Sequence, residues 1–416
     1  MNIDIILKNI DPEISSILDK ALDNKEISTS DALKLFNSKD LELSLTTLIA
    51  NELRRRENGN IVTFVVNRNI NFTNVCIKQC GFCAFSRDFR EAEEGYVLPI
   101  EEIVSKAKEA WNYGATEVCI QAGLPPNMDG FLYIDICKAI KKELPDIHIH
   151  AFSPEEILYA CMRSNTSIYE YLKMLKEVGI GSLPGTSAEI LVKEIRNKIS
   201  PGRITVEDWI KVITTAHKLN IPTTSTIMYG HLETYNDIVT HLDILRKIQK
   251  ETNNFTEFVP LSFIHSESPM YNLGLLKGIR EGATGIEVVK MHAISRIFFN
   301  KLIKNIQVSW VKEGQKLSQI ILESGANDMG GCLINESIST SAGSQYGQLL
   351  RPKEIKKLIS SAGRVPAQRT SSYKIIKKFE TKEEIENETI LDKVNPAVFG
   401  SYKELITLNK FRYKKN

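Results

Sequence analysis

The sequence predicts an α/β protein whose core is a parallel sheet closed, or nearly closed, into a barrel. Two observations predict it. From Ile61 onward, short β-branched runs alternate with amphipathic helical patterns. The runs also end in turn chemistry, most sharply at Ser153-Pro154-Glu155-Glu156, where a strand passes directly into a helix. Such alternation lays strands side by side in parallel, with each connecting helix packed outside. At 416 residues, 42% hydrophobic and 25% charged, the chain is long enough to bury a core of that size.

In chain order, residues 1–58 read as a helical segment. Ile14, Ile17, Leu18 and Ala21 recur at helical spacing, as do Ala32, Leu33, Leu35 and Phe36. Glu52 to Glu57, with three arginines, reads as an exposed break. The barrel is expected over 59–340. Its strand candidates are Val62–Val66, Glu117–Gln121, Ile147–Phe152, Gly181–Pro184, Thr223–Met228, Glu257–Phe263 and Ile306–Trp310, with a weaker eighth near Gly325–Met329. Between them, Ile100, Ile103, Val104, Ala107, Ala110 and Trp111 share one helical face, and Gly114 suits the stop. Ser153 is a capping residue with Pro154 at the first helical position and Glu156 three residues after the cap. Trp209, Ile210, Ile213 and Ala216 form a further buried stripe. Residues 341–416 are mixed and charged, and read as a C-terminal extension packing on the barrel.

Lys and Arg total 53 against 51 for Asp and Glu, a net charge of +2. That balance lacks the basic footprint of a nucleic-acid binder, and the basic end, Lys410 to Lys415, reads as a solvated tail. No apolar run reaches the roughly 18 residues needed to span a membrane. Met1 to Ile10 carries Asp4 and lacks the pattern of a secretory leader. A cytoplasmic location is expected. Seven cysteines, with three inside eight residues, do not suggest a secreted disulfide framework.

Those three are Cys76, Cys80 and Cys83, spaced Cys-x3-Cys-x2-Cys just after the first barrel strand. Three thiolates on one tight loop can each bind a corner of a four-iron, four-sulfur cluster, whereas such clusters normally take four. The iron left over is free to take a small chelating ligand. The amino nitrogen and carboxylate of S-adenosylmethionine (SAM) suit that position, and an electron from the cluster can then split the sulfonium. Two other readings stay open. One is a structural zinc with a fourth ligand from elsewhere, such as His148 or His150; the other is an electron-transfer cluster completed by Cys119, Cys137, Cys161 or Cys332.

The loop resembles the signature of the radical SAM superfamily. Arg68–Cys76, His148–Pro154, Pro184–Leu191, Met228–Thr234, Gln307–Lys312, Gly325–Gly331 and Gly363–Arg369 extend the match. Together they resemble the family of the larger FO synthase subunit and its menaquinone-pathway relatives. The resemblance implies a partial (β/α)6-type barrel with a [4Fe-4S] cluster and SAM as cofactors. It also implies a transferase reaction. A radical derived from SAM takes hydrogen from L-tyrosine, whose Cα–Cβ bond breaks. The 4-hydroxybenzyl fragment then joins C5 of 5-amino-6-(D-ribitylamino)uracil, a step toward the deazaflavin FO. An electron donor and the ring-closing FO synthase subunit are the implied partners. A futalosine-pathway enzyme and a non-catalytic zinc or iron–sulfur module are the competing functions.

Cys76, Cys80 and Cys83 are the expected cluster ligands. The resemblance implies Phe82 beside the adenine, Gln121 and Gly123 at the SAM amine, Glu189 at the ribose or amine, and Glu233 near the adenine. For Phe82 loop packing, and for Glu189 and Glu233 a charge in the first turn of a helix, is the plain alternative. His148 and His150 alternate with Ile147 and Ile149 and so face one side of their strand. At an inward position they suit a substrate or proton-transfer role. Ser309, Trp310, Asn327 and Asp328 are expected to bind the uracil or ribityl groups, against strand packing and turn chemistry.

Overall fold

The computed structural model describes residues 10–414. The leader reading at residues 1–9 and the end of the basic tail at Lys415 lie outside them. Among the described residues, no helix is long and apolar enough to cross a membrane.

Three N-terminal helices, Pro12–Leu22, Thr29–Asn37 and Asp40–Asn58, pack the predicted apolar stripes against the barrel's outer helices. The Glu52–Glu57 stretch is no break: it continues the third helix, with Leu53 and Arg54 buried. Arg54 is accommodated because its Nη1 donates to Gly59 O at 2.8 Å and its Nε to Asn51 Oδ1 at 2.9 Å. Gly59, at φ 60°, ends the helix in a conformation that other residues rarely adopt.

The strands are β1 (Ile61–Val65), β2 (Asn67–Ile70), β3 (Val75–Cys76), β4 (Arg87–Asp88), β5 (Glu117–Ile120), β6 (His148–Ala151), β7 (Thr223–Tyr229), β8 (Phe255–Ser262), β9 (Asp328–Gly331), β10 (Val365–Arg369) and β11 (Ile375–Lys378). Parallel pairing runs from β2 to β5 and on to β6. Single bridges from His150 to Ser182 and from Leu183 to Thr223 carry it to β7, which pairs in parallel with β8. The expected α/β barrel is therefore present, and the pairing continues past six strands. Bridges from Phe258 to Ile306 and from Gln307 to Asp328 reach β9, which pairs with β1, and Ile334 returns to Arg68. The ring thus closes.

Gly181–Pro184 and Ile306–Trp310 contribute bridges rather than full strands. In the second case Trp310 already opens a helix, Trp310–Leu322. Trp111, placed by periodicity on a buried face, is 39% exposed in the last turn of its helix, which ends at Asn112. The Ser153 corner forms as expected, with Ser153 and Glu156 capping reciprocally and Pro154 first in the helix.

The chain after 341 does more than lie against the barrel. β10 pairs in parallel with β1 from Ile61/Val365 to Phe64/Gln368, and β11 folds back on β10. From the end of β10, Arg369 reaches Asp328, donating from Nε to Oδ2 at 2.5 Å and from Nη2 to Oδ1 at 2.9 Å. Tyr373 donates to the buried Glu257 and lies beside the Arg369 guanidinium, 4.0 Å from its ring centroid. This buried cluster fills the end of the barrel where the strands begin. Further along, Tyr402 OH donates to Phe85 O at 2.9 Å, tying the C-terminal segment to the cysteine loop.

Candidate active site

The strands point their C-terminal ends at one cavity of about 370 Å³. In parallel barrels this is the end where loops converge to form sites. The cysteine loop leaves β2 and is held by its own backbone. β3 pairs with β4, Gly81 N donates to Ile199 O at 2.9 Å, and Met270 N donates to Gly81 O at 2.7 Å. Thr73 Oγ1 donates to Tyr96 O at 2.6 Å, and Asn74 Nδ2 donates to Glu94 O at 3.1 Å. Cys76, Cys80 and Cys83 all line the cavity.

Burial raises the Cys76 thiol pKa and pushes Cys80 up to about 12, with Arg203 partly offsetting the rise. These thiols are neutral at pH 7 by themselves; a bound cationic metal deprotonates such groups outright. Burial works against the charge of Arg203 too, but Cys80, Glu189 and Glu155 outweigh it and lift its pKa above the usual range. Its Nη1 donates to Glu189 Oε1 at 2.6 Å, and its Cζ lies 5.4 Å from the Phe82 ring centroid. Among the described residues no three His, Cys, Asp or Glu side chains already stand together as a metal-holding group; what fits a cluster held at three corners is the donor chemistry, three thiols of one loop lining one cavity with a cation beside them.

The other proposed metal ligands are placed differently. His148 Nε2 and His150 Nδ1 each lie 2.7 Å from Ser182 Oγ. Cys137, Cys161 and Cys332 are packed in apolar clusters, while Cys119 reaches the cavity wall with Gln121 Nε2 3.7 Å from its sulfur.

Residues 70–245 match the family model described as the radical SAM superfamily, and 252–382 match the one described as the CofH/MqnC C-terminal region. A Methanocaldococcus jannaschii protein named 5-amino-6-(D-ribitylamino)uracil–L-tyrosine 4-hydroxyphenyl transferase is 51% identical over 355 residues, which is 85% of this chain and 98% of that protein. The chain belongs to this transferase family of the radical SAM superfamily. A Methanothermobacter thermautotrophicus protein of the same name is 46% identical over 368 residues, 88% of this chain and 99% of its own. Among solved structures, methylornithine synthase superposes with a TM-score of 0.66 at 19% identity, covering 84% of this chain and 97% of its own. The hydrogenase maturase HydG from Carboxydothermus hydrogenoformans gives 0.67 at 20%, covering 89% and 83%. At such identities the likeness is one of fold.

Within this family member, the cavity gathers Phe82, Gln121, Gly123, Glu189 and Ser309 from the sequence-predicted set, beside the three cysteines. Gln121 accepts from Thr186 Oγ1 at 3.1 Å. Gly123 has a packing reason to be glycine, since a Cβ there would lie 2.3 Å from Val75 O. Ser309 precedes the Trp310–Leu322 helix without using its side chain as a cap.

Six predicted residues are not brought to the cavity. Glu233 is buried, accepting from His231 N at 2.9 Å and Arg280 Nη2 at 3.0 Å, so it closes its own turn. Trp310 Nε1 donates to Gly331 O at 2.9 Å inside the core. Asn327 accepts from Arg296 Nη2 at 2.7 Å and Ile306 N at 2.9 Å, and Asp328 is taken by Arg369. His148 opens β6 and, paired with Glu117, lies toward the start of the strands. Burial lowers the pKa of both histidines, that of His150 to about 4, with Glu117 opposing. They are neutral at pH 7.

Several residues of the site carry no local sequence signal for it. Arg203 is one. Glu155 and Glu156 read as helix-start acids, yet both are buried on the cavity wall. Glu155 Oε2 accepts from Ile204 N at 2.6 Å and Glu156 Oε1 from Ala122 N at 3.0 Å. Burial pushes the Glu156 carboxyl up to about 7. Lys312, Asn69 and Glu336 complete the opposite wall.

Proposed function

We propose that this chain is a radical SAM transferase that cleaves the L-tyrosine side chain and joins its 4-hydroxybenzyl group to 5-amino-6-(D-ribitylamino)uracil. The observation that carries the reading is the cavity wall on which Cys76, Cys80 and Cys83 stand beside Arg203 and Glu189, in a chain about half identical to named transferases. Cys76, Cys80 and Cys83 hold the [4Fe-4S] cluster. Together with SAM, that group supplies one-electron cleavage of the sulfonium and a carbon radical able to abstract hydrogen.

The protein's own residues bind, orient and enclose. Gln121 and the backbone at Gly123 receive the SAM amine. Glu189 takes the ribose, with Arg203 fixing its carboxylate. Phe82, held under the Arg203 guanidinium, offers an apolar face to the adenine. Ser309 presents its hydroxyl to the second substrate. The Arg369–Tyr373 cluster seals the far end of the barrel, and the segment around Tyr402 braces the loop. This excludes the water and stray C–H bonds that a carbon radical would attack. An electron donor and the ring-closing FO synthase subunit are its partners in this reading, in a cytoplasmic setting.

The test is an anaerobic incubation of reconstituted protein with SAM, dithionite, L-tyrosine and the ribitylaminouracil. Mass spectrometry is expected to show 5′-deoxyadenosine and the hydroxybenzyl adduct. SAM cleavage without tyrosine loss would reject the proposed substrates.

A further inference from the structure

The ring order divides the cavity. Gln121, Glu156 and Glu189 follow β5, β6 and the Ser182–Leu183 station on one arc, the arc assigned above to SAM. Lys312, Glu336 and Asn69 lie on the other, after the Ile306–Gln307 station, after β9 and within β2. Lys312 is half-buried with its side chain on the cavity wall, and among the described residues it forms no hydrogen bond or ion pair through Nζ. An ammonium withdrawn from bulk water without a partner is costly, which points to a ligand that supplies the missing anion.

Beside it the polarity reverses. Glu336 is buried; its Oε1 accepts from Ser339 N at 2.7 Å, and its Oε2 accepts from Asn69 Nδ2. That bond turns Asn69 Oδ1 away, leaving it buried and without a partner, and Asn71 Oδ1 is in the same condition. This corner offers acceptors and a negative charge. Glu336 also heads the acids that oppose the burial-driven lowering of the Lys312 pKa, ahead of Glu313 and Glu189.

We infer that Lys312 and Glu336, with Asn69, form a clamp for the α-amino acid end of the tyrosine substrate: Lys312 holds the α-carboxylate, while Glu336 and Asn69 Oδ1 hold the α-ammonium. An uncharged aminouracil would offer Lys312 no anion to bind. The amine of SAM is assigned above to Gln121 and Gly123, on the other arc. A zwitterion, with both charges on one carbon, matches adjacent and oppositely charged groups that do not pair with each other. The inference deepens the reaction proposed above and rests on it. Fixing Cα in this way holds the bond to be broken while the phenol ring extends into the remaining cavity.

The test is equilibrium binding to reconstituted protein loaded with SAM and kept unreduced, so that nothing turns over. The ligands are L-tyrosine, tyramine, which lacks the carboxylate, and 3-(4-hydroxyphenyl)propanoate, which lacks the amine. In Lys312→Met, tyrosine and the propanoate are expected to weaken about ten- to a hundred-fold, the range for a charge-assisted hydrogen bond, with tyramine unchanged. In Glu336→Gln, tyrosine and tyramine weaken and the propanoate does not. Equal weakening of all three ligands in Lys312→Met, or weakening of SAM or the aminouracil instead, overturns the clamp. Wild-type protein that consumes tyrosine while Lys312→Met keeps its carboxylate preference overturns the clamp alone. Wild-type protein that binds none of the three overturns the reaction as well.

Discussion

Nη1 of Arg203 donates to Oε1 of Glu189 at 2.6 Å; both residues follow the Ser182–Leu183 station, and Arg203 also lies over the Phe82 ring of the cysteine loop at 5.4 Å. Glu189 holds a positive φ of 43°, and its carbonyl accepts from Met228 N at 2.7 Å, so its carboxylate is fixed from both ends. Arg203→Met removes the cation that orients Glu189 and covers Phe82. SAM affinity should fall about ten-fold or more, with iron content retained. Equilibrium binding of SAM to reconstituted variant checks this; an unchanged dissociation constant would count against Glu189 and Arg203 as the cofactor wall.

Gly123 marks the closest approach between the turn after β5 and the cysteine loop. Its N–H donates to Thr73 O at 2.8 Å, and an added Cβ would meet Val75 O at 2.3 Å. Backbone cannot yield as a side chain tip can, so Gly123→Ala should cost about 1–3 kcal/mol by overpacking. It should also shift the loop that carries Cys76. The expected outcome is a lower thermal midpoint and less iron per chain after reconstitution. Full iron loading with an unaltered midpoint would show that the loop tolerates the displacement.

Acid should destabilise the fold before any carboxylate in the ordinary range titrates. Burial lowers the pKa of His150, His217 and His292 to about 4 and that of His241 to about 3. Each is neutral in the fold, while the unfolded chain binds a proton below about 6.5, so stability present above that value is lost as pH falls toward 4. Glu156 and Glu257, both raised to about 7 mainly by burial, act in the opposite sense, gaining stability as pH falls below 7. Four histidines outweigh two carboxyls. The net loss between pH 6.5 and 5.5 should be about 1–3 kcal/mol, seen as a lower thermal midpoint. A midpoint that rises over this interval would contradict the neutral buried histidines.

The cysteine loop is legible in the sequence because its chemistry is local: the spacing alone sets three thiols on one turn. The helix start at Ser153 is legible for the same reason, since a cap and its partner are three residues apart. Glu155 and Glu156 show the limit of local patterns. They read as helix-start acids, and Glu156 does cap, but both are buried because the helix begins at the mouth of the barrel. Arg203 and Lys312 follow no spacing rule; only closure of the ring brings them to the cavity. β10 escapes periodicity because it is short and contains Pro366, and its partner β1 lies about 300 residues earlier. Asn327 and Asp328 read as ligand-binding groups by their polarity, yet Arg296 and Arg369 consume their hydrogen-bonding capacity inside the core.

The central claim is that Cys76, Cys80 and Cys83 hold a cubane with one iron left for SAM. Electron paramagnetic resonance of the anaerobically reconstituted, dithionite-reduced protein tests it most directly. The predicted result is a [4Fe-4S] signal that changes when SAM is added and is lost in Cys80→Ala, with circular dichroism of that variant unchanged. A protein with no cubane signal, or with one indifferent to SAM, would contradict the assignment.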